Sequence, residues 1–203
     1  MKIVTPFAEL LWITSEPERQ IEKAGRTCYK SENKITENSA GIFSKMMRER
    51  GHHAMLEHAA ASFRIITDRG ISHEIVRHRL ASYAQESTRY CNYSLNKFEN
   101  HCSFIEPPDL TDTQHEIWRN SCEEAEKDYF AMLKAGCHAQ IARSVLPTCL
   151  KTELVMTANF REWRHFIALR GSKAAHPQIR PIALEIWRVL MNHAPGVFDD
   201  LLP

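Results

Sequence analysis

The chain has 203 residues, of which 43% are hydrophobic and 25% charged, enough to expect a single domain over 1–203, or one compact protomer of an oligomer, with a sizeable buried core and a size that suits an enzyme subunit. A formal net charge of +1 excludes a polyelectrolyte that holds nucleic acid through its average field, so any anion site must be local. The sequence has no apolar run of about 18 residues, and the stretch Met1 to Thr14 lacks the pattern of a signal peptide, so a cytoplasmic protein without membrane contact is expected.

In chain order, Lys2 to Val4 reads as an edge strand. Thr14-Ser15-Glu16-Pro17-Glu18 carries a capping hydroxyl and early carboxylates, the mark of a helix start, and that helix is expected to run to about Tyr29. Ile42, Phe43, Met46 and Met47 recur at helical spacing over Ser39 to Arg50, where Gly51 stops the helix. Ala60 to Thr67 is rich in β-formers and reads as a strand closed by a turn at Asp68-Arg69-Gly70. Ile71 with Ile75, and Val76 with Leu80, then predict a helix over Ser72 to Leu80.

Tyr90 to Pro108 is β-prone and polar, and a long amphipathic helix follows from Thr113 to Lys134, ended by Gly136. A short helix at Ala139 to Val145, a strand at Leu150 to Thr157, and helices at Glu162 to Leu169 and Pro177 to His193 complete the reading. The fold class expected is α+β, a mixed or mainly antiparallel sheet flanked by helices. Six scattered cysteines without a CxxC pair read as reduced packing thiols.

The densest run of functional side chains is Glu74 to Tyr90. It contains Arg77, Arg79 and Arg89, whose planar guanidinium forks suit phosphate, beside the hydroxyls of Ser87 and Thr88. On a helix turning about 100° per residue, Arg77 and Arg79 would project in opposed directions. They then serve different ligands or subunits, unless the helix ends there. Spacing alone leaves a solvated arginine face open, with Glu74 pairing to Arg77 or His78. His52, His53, His58, His73 and His78 raise a metal-dependent hydrolase as a rival, but their spacing is poor for metal and no metal site is expected. Nucleic-acid binding through the arginine run is the other rival, which the near-neutral charge disfavours.

Arg77-His78-Arg79 followed by seven residues and Ser87 resembles the signature motif of the flavin-dependent thymidylate synthases. Gly51-His52-His53-Ala54-Met55-Leu56-Glu57-His58 upstream, and Arg143-Ser144-Val145-Leu146-Pro147, Asn159 with Arg161, Leu169-Arg170 and His176-Pro177-Gln178 downstream, resemble that family's other blocks in order.

The resemblance implies an enzyme that methylates dUMP to dTMP with 5,10-methylenetetrahydrofolate, FAD and NADPH, in a homotetramer whose sites lie between protomers. By the same resemblance, FAD meets His52, Ala54, Arg77, His78, Arg79, Gln85, Asn159, Phe160, Arg161 and His165. The dUMP positions are Glu74, Ile75, Val76, Arg77, Gln85, Glu86, Ser87, Thr88, Arg89, Arg143 and Arg170. Arg170 is the implied catalytic residue, an electrostatic group facing the uracil ring. Ala54, Glu74, Gln85 and His165 stand where the family often has Thr, Gln, Glu and Asn. Glu74 and Gln85 thus read as a polar exchange.

Overall fold

The structure, a computed structural model, describes residues 1–201 and, of Lys97, the backbone. Its elements are β1 (Lys2–Ile3), β2 (Phe7–Ile13), α1 (Pro17–Thr27), α2 (Ser39–Glu49), β3 (Ala60–Asp68), α3 (Arg69–Ile75), β4 (Ala81–Gln85), β5 (Ser103–Phe104), α4 (Asp112–Lys134), α5 (Ala139–Ala142), β6 (Lys151–Asn159), α6 (Phe160–Arg170), α7 (Ile179–His193) and α8 (Pro195–Phe198). β2, β3, β6 and β4 form a sheet in that order, β1 and β5 a short parallel pair. The class is α+β, an antiparallel sheet flanked by helices. No helix among the described residues is long and apolar enough to cross a membrane.

The same local device starts two helices. β3 ends on Asp68, whose carboxylate accepts the Ile71 amide at 2.7 Å, and β6 ends on Asn159, whose side chain accepts the Glu162 amide at 2.9 Å. Each strand therefore turns into a helix without a loop, its last residue serving as the N-cap. α4 begins with a capping box, Gln114 Oε1 accepting the Thr111 amide at 2.9 Å while the Thr111 hydroxyl accepts from the Gln114 amide. β6 alternates strictly, burying Thr152, Leu154, Met156 and Ala158, whereas β3 is buried along most of its length.

Two expectations are corrected. The helix of 72–80 stops at Ile75, and Ala81–Gln85 is a strand; Leu80 is 72% exposed, so the second apolar pair that suggested a longer helix faces no core. The turn read at Asp68-Arg69-Gly70 is the cap and first residues of α3. β2 was not expected either: Phe7 to Ile13 does not alternate, and Phe7, Leu11 and Trp12 stay exposed on this edge strand.

The chain divides into two compact units. One comprises residues 1–6, 66–76 and 84–154, and its core gathers Tyr93, Cys102, Phe104, Cys122, Tyr129 and Leu150. The other comprises 7–65, 77–83 and 155–203. There Trp163, fully buried, donates from its indole to the Ala61 carbonyl at 3.0 Å and packs against Phe63 and Phe166 at centroid distances of 5.1 and 5.6 Å.

In the second unit α8 is stapled by ion pairs around the buried Arg48. Arg48 donates to the Gly196 carbonyl at 3.1 Å and pairs with Asp199, while Arg164 pairs with Asp200 at 2.6 Å. Gly196 lies so close to the Gly41 carbonyl that a Cβ there would collide with backbone, and its amide is held by Glu18 at 2.6 Å. All six cysteines are free.

Candidate functional site

One cavity of the second unit, of about 640 Å³, is walled by the loop that follows α3. Arg77, His78, Arg79 and Leu80 line it together with His53, Leu56, Arg161, Glu162, Arg164, His165 and Ala168. Because the helix stops before this loop, Arg77 and Arg79 both reach the same cavity, and the opposed projection expected of helical neighbours does not arise. The guanidinium groups, imidazoles and small apolar surfaces of its wall suit a ligand with both phosphate and a planar ring.

His78 is the fixed member of this wall. It is 3% exposed, its Nδ1 lies 3.1 Å from Glu162 Oε1, and Arg170 Nε donates to its Nε2 at 3.3 Å. The Tyr83 hydroxyl donates to its backbone carbonyl at 2.7 Å, and Phe166 meets its ring at 5.0 Å. Burial holds the His78 imidazole below its ordinary range, aided by the charges of Arg170 and His165 and opposed by Glu162. Burial likewise pushes the Tyr83 phenol up to about 12.

The other implied flavin positions fall in different places. Arg161 and His165 are exposed on the cavity wall. Asn159 is the cap of α6, and Phe160 is fully buried, its ring 5.1 Å from Phe198 and its amide donating to the Ala59 carbonyl at 2.8 Å. His52 lines a separate cavity with Arg26, Phe43 and Arg50, and Ala54 sits exposed on the 3₁₀ turn His53–His58.

In the first unit a cavity of about 510 Å³ is lined by Arg69, His73, Thr88, Gln140, Arg143, Ser144 and the Leu146 to Thr148 stretch, among others. Thr88 is buried, and its hydroxyl accepts from Arg143 at 2.9 Å. Arg69 donates to the Glu86 carbonyl at 3.3 Å and the Thr152 hydroxyl at 3.1 Å, which fixes its cationic head. The Ser87 hydroxyl accepts the Arg89 amide at 3.3 Å, and the Arg89 guanidinium sits 5.4 Å from the Tyr90 ring centroid.

Gln85 donates to Ser72 at 2.9 Å and Thr152 at 3.1 Å. Glu86 accepts from Tyr93 and Lys151, both at 2.9 Å, and lines a smaller cavity beside them. Ile75 is fully buried, Glu74 half-buried and Val76 exposed at the end of α3.

Sequence reasoning missed Glu162 and Arg164 on one wall and Arg69 and Gln140 on the other, and it weighed His53 and His73 only as metal candidates. Arg69 and Glu162 each stood in a findable place, one and three residues beyond the strand-ending caps Asp68 and Asn159.

The cationic cavity walls suit an enzyme subunit with anionic, ring-bearing ligands. Residues 9–196 match the model of the family described as thymidylate synthase complementing protein. The flavin-dependent thymidylate synthase of Geobacter sulfurreducens is 32% identical over 96% of this chain and 86% of its own length. That of Mycobacterium avium is 37% identical over 89% of this chain and 78% of its own. A UMP/dUMP methylase, PolB from Streptomyces cacaoi, solved with 5-Br dUMP bound, shares the fold with a TM-score of 0.81 at 22% identity, covering 98% of this chain and 96% of that one. The chain belongs to the family of flavin-dependent thymidylate synthases, enzymes of the methyltransferase class.

Proposed function

We propose that this chain converts dUMP to dTMP, taking the carbon from 5,10-methylenetetrahydrofolate and the hydride from FAD reduced by NADPH, and that the whole chain serves as one catalytic protomer of a cytoplasmic homotetramer. The observation that carries this reading is the convergence of Arg77, His78, Arg79, Arg161 and His165 on one cavity. Its cations answer a diphosphate, and its imidazole and apolar surfaces answer a ring, so the residues present fit a flavin dinucleotide. When bound, that cofactor supplies hydride chemistry that no side chain can.

The remaining work belongs to the protein. Arg143, already oriented by Thr88, and Arg69, held by Glu86 and Thr152, supply positive charge to a nucleotide phosphate, with Ser87 and Arg89 on the neighbouring loop. Arg170 supplies a fixed positive charge for the uracil ring, stabilising the negative charge that develops there as the new carbon bond forms. No cysteine is assigned a part in this chemistry.

The test is to record the visible spectrum and mass of the purified protein, then assay dUMP, and UMP beside it, with methylenetetrahydrofolate, FAD and NADPH, including Arg170→Ala. The expected result is dTMP formed only when flavin and reductant are both present, with turnover lost in the Arg170 variant while flavin still binds. A protein that binds no flavin and forms no dTMP under these conditions would overturn the reading.

A further inference from the structure

Glu162 is 5% exposed and His78 3%, so two ionisable side chains are buried together, a costly arrangement unless each satisfies the other. Their contacts fix the hydrogen positions. An arginine Nε carries hydrogen and has no lone pair to offer, so the 3.3 Å contact from Arg170 Nε requires a bare Nε2 on His78. The ring hydrogen is then on Nδ1, where the Glu162 carboxylate accepts it at 3.1 Å. Phe166 meets the ring in a T-shaped contact, and the Tyr83 hydroxyl holds the His78 backbone carbonyl.

We propose that Glu162 is a positioning residue for Arg170: it locks His78 in the Nδ1–H form, and the bare Nε2 then fixes the direction of the Arg170 guanidinium. This inference rests on the catalytic reading of Arg170 given above. Glu162 touches no substrate in it and acts only through the imidazole. A chain of carboxylate, imidazole and guanidinium gives the cation one orientation instead of several, which lowers the cost of ordering it during the reaction. Glu162 and His78, with His165, also place ligand atoms within 4.8 Å of one another, the spacing of a metal site. The Arg170 guanidinium bonded to His78 speaks against that use, since a fixed cation beside the cluster would repel a second one.

The test uses the flavin-loaded protein with ¹⁵N-labelled histidine and arginine. In the wild type, long-range imidazole spectra should show His78 as the Nδ1–H form, and the Arg170 Nε–H should exchange slowly with water. Glu162→Gln, whose carbonyl accepts the same hydrogen, should keep both signatures and most of the turnover. Glu162→Ala should lose both and lower kcat roughly tenfold to a hundredfold, the scale of a charged buried hydrogen bond, with the KM for dUMP close to wild type at saturating flavin. Glu162→Thr, too short to reach Nδ1, reads the same way if the alanine variant does not fold. An Nε2–H form in the wild type, or a truncated variant that keeps the Nδ1–H form and full kcat, would overturn the proposal. Failure of the wild type to make dTMP would instead sink the catalytic reading, and with it the kcat arm, while the spectra still decide whether Glu162 governs His78 and Arg170.

Discussion

Arg143 and Thr88 are joined side chain to side chain, the guanidinium Nη1 donating a 2.9 Å hydrogen bond to a hydroxyl that is itself buried. A cation anchored in this way is already aimed when a phosphate arrives, so little rotamer entropy remains to be lost. Arg143→Ala should weaken dUMP binding by about tenfold to a hundredfold, as the loss of a charged hydrogen bond of about 1.5–3 kcal/mol requires. Calorimetric titration with dUMP checks this, and the flavin spectrum should not change.

Arg161 pairs with Glu57 at 2.7 Å, but both side chains are about half exposed, at 52% and 42%, and such pairs contribute little to stability. Arg161→Ala should therefore leave the melting temperature within about 2 °C of wild type while weakening flavin binding, since the cavity loses one of its cations. Flavin titrations at low and high salt supply the check: the wild-type affinity should fall with salt more steeply than that of the variant.

Gly196→Ala should destabilise the protein by roughly 1–3 kcal/mol, because the added methyl meets the Gly41 carbonyl, which is backbone and cannot swing aside as a side chain would. At a few degrees per kcal/mol for a chain of this size, thermal melting followed by circular dichroism should resolve the shift.

The α8 staple should respond to acid. Burial would raise the Asp200 carboxyl, but the hydrogen bond and charge of Arg164, with the charge of Arg48, hold it below its ordinary value. A carboxyl lowered in the folded state adds stability that is complete above its unfolded pKa and is lost as pH falls through the folded one. Burial raises the Glu18 carboxyl, with Asp199 adding to the rise and the Gly196 amide opposing it, so its contribution has the other sign and is lost as pH rises through the folded value. Hydrogen exchange at Val197 to Asp200, corrected for intrinsic rates, should lose protection as pH falls below about 4. Asp200→Asn should remove most of that dependence.

Much of the fold was legible because periodicity and capping agree. Ile42, Phe43, Met46 and Met47 mark α2 by spacing, and the amphipathic run read from Thr113 to Lys134 places the start of α4 within a residue of Asp112. The reading failed where local pattern and burial part company. Val76 and Leu80 mimic a helix face yet are exposed, so α3 was drawn too long and two arginines of one wall were set on opposite sides. The signature motif located that wall, but Glu162 and Arg164 are ordinary helical charges in one dimension. Their meaning depends on the folded approach of α6 to the loop at 77–79, which no spacing rule encodes.

The ring stack of the second unit has a practical consequence. Trp163 is one aromatic ring away from His78, with Phe166 between them at 5.6 Å from the indole and 5.0 Å from the imidazole. A chromophore docked against His78 would lie close to a buried indole, near enough to accept its excitation. Tryptophan emission should then dim as flavin fills the cavity, giving an unlabelled optical readout of occupancy, and Trp163→Phe, with the other indoles retained, would identify the donor.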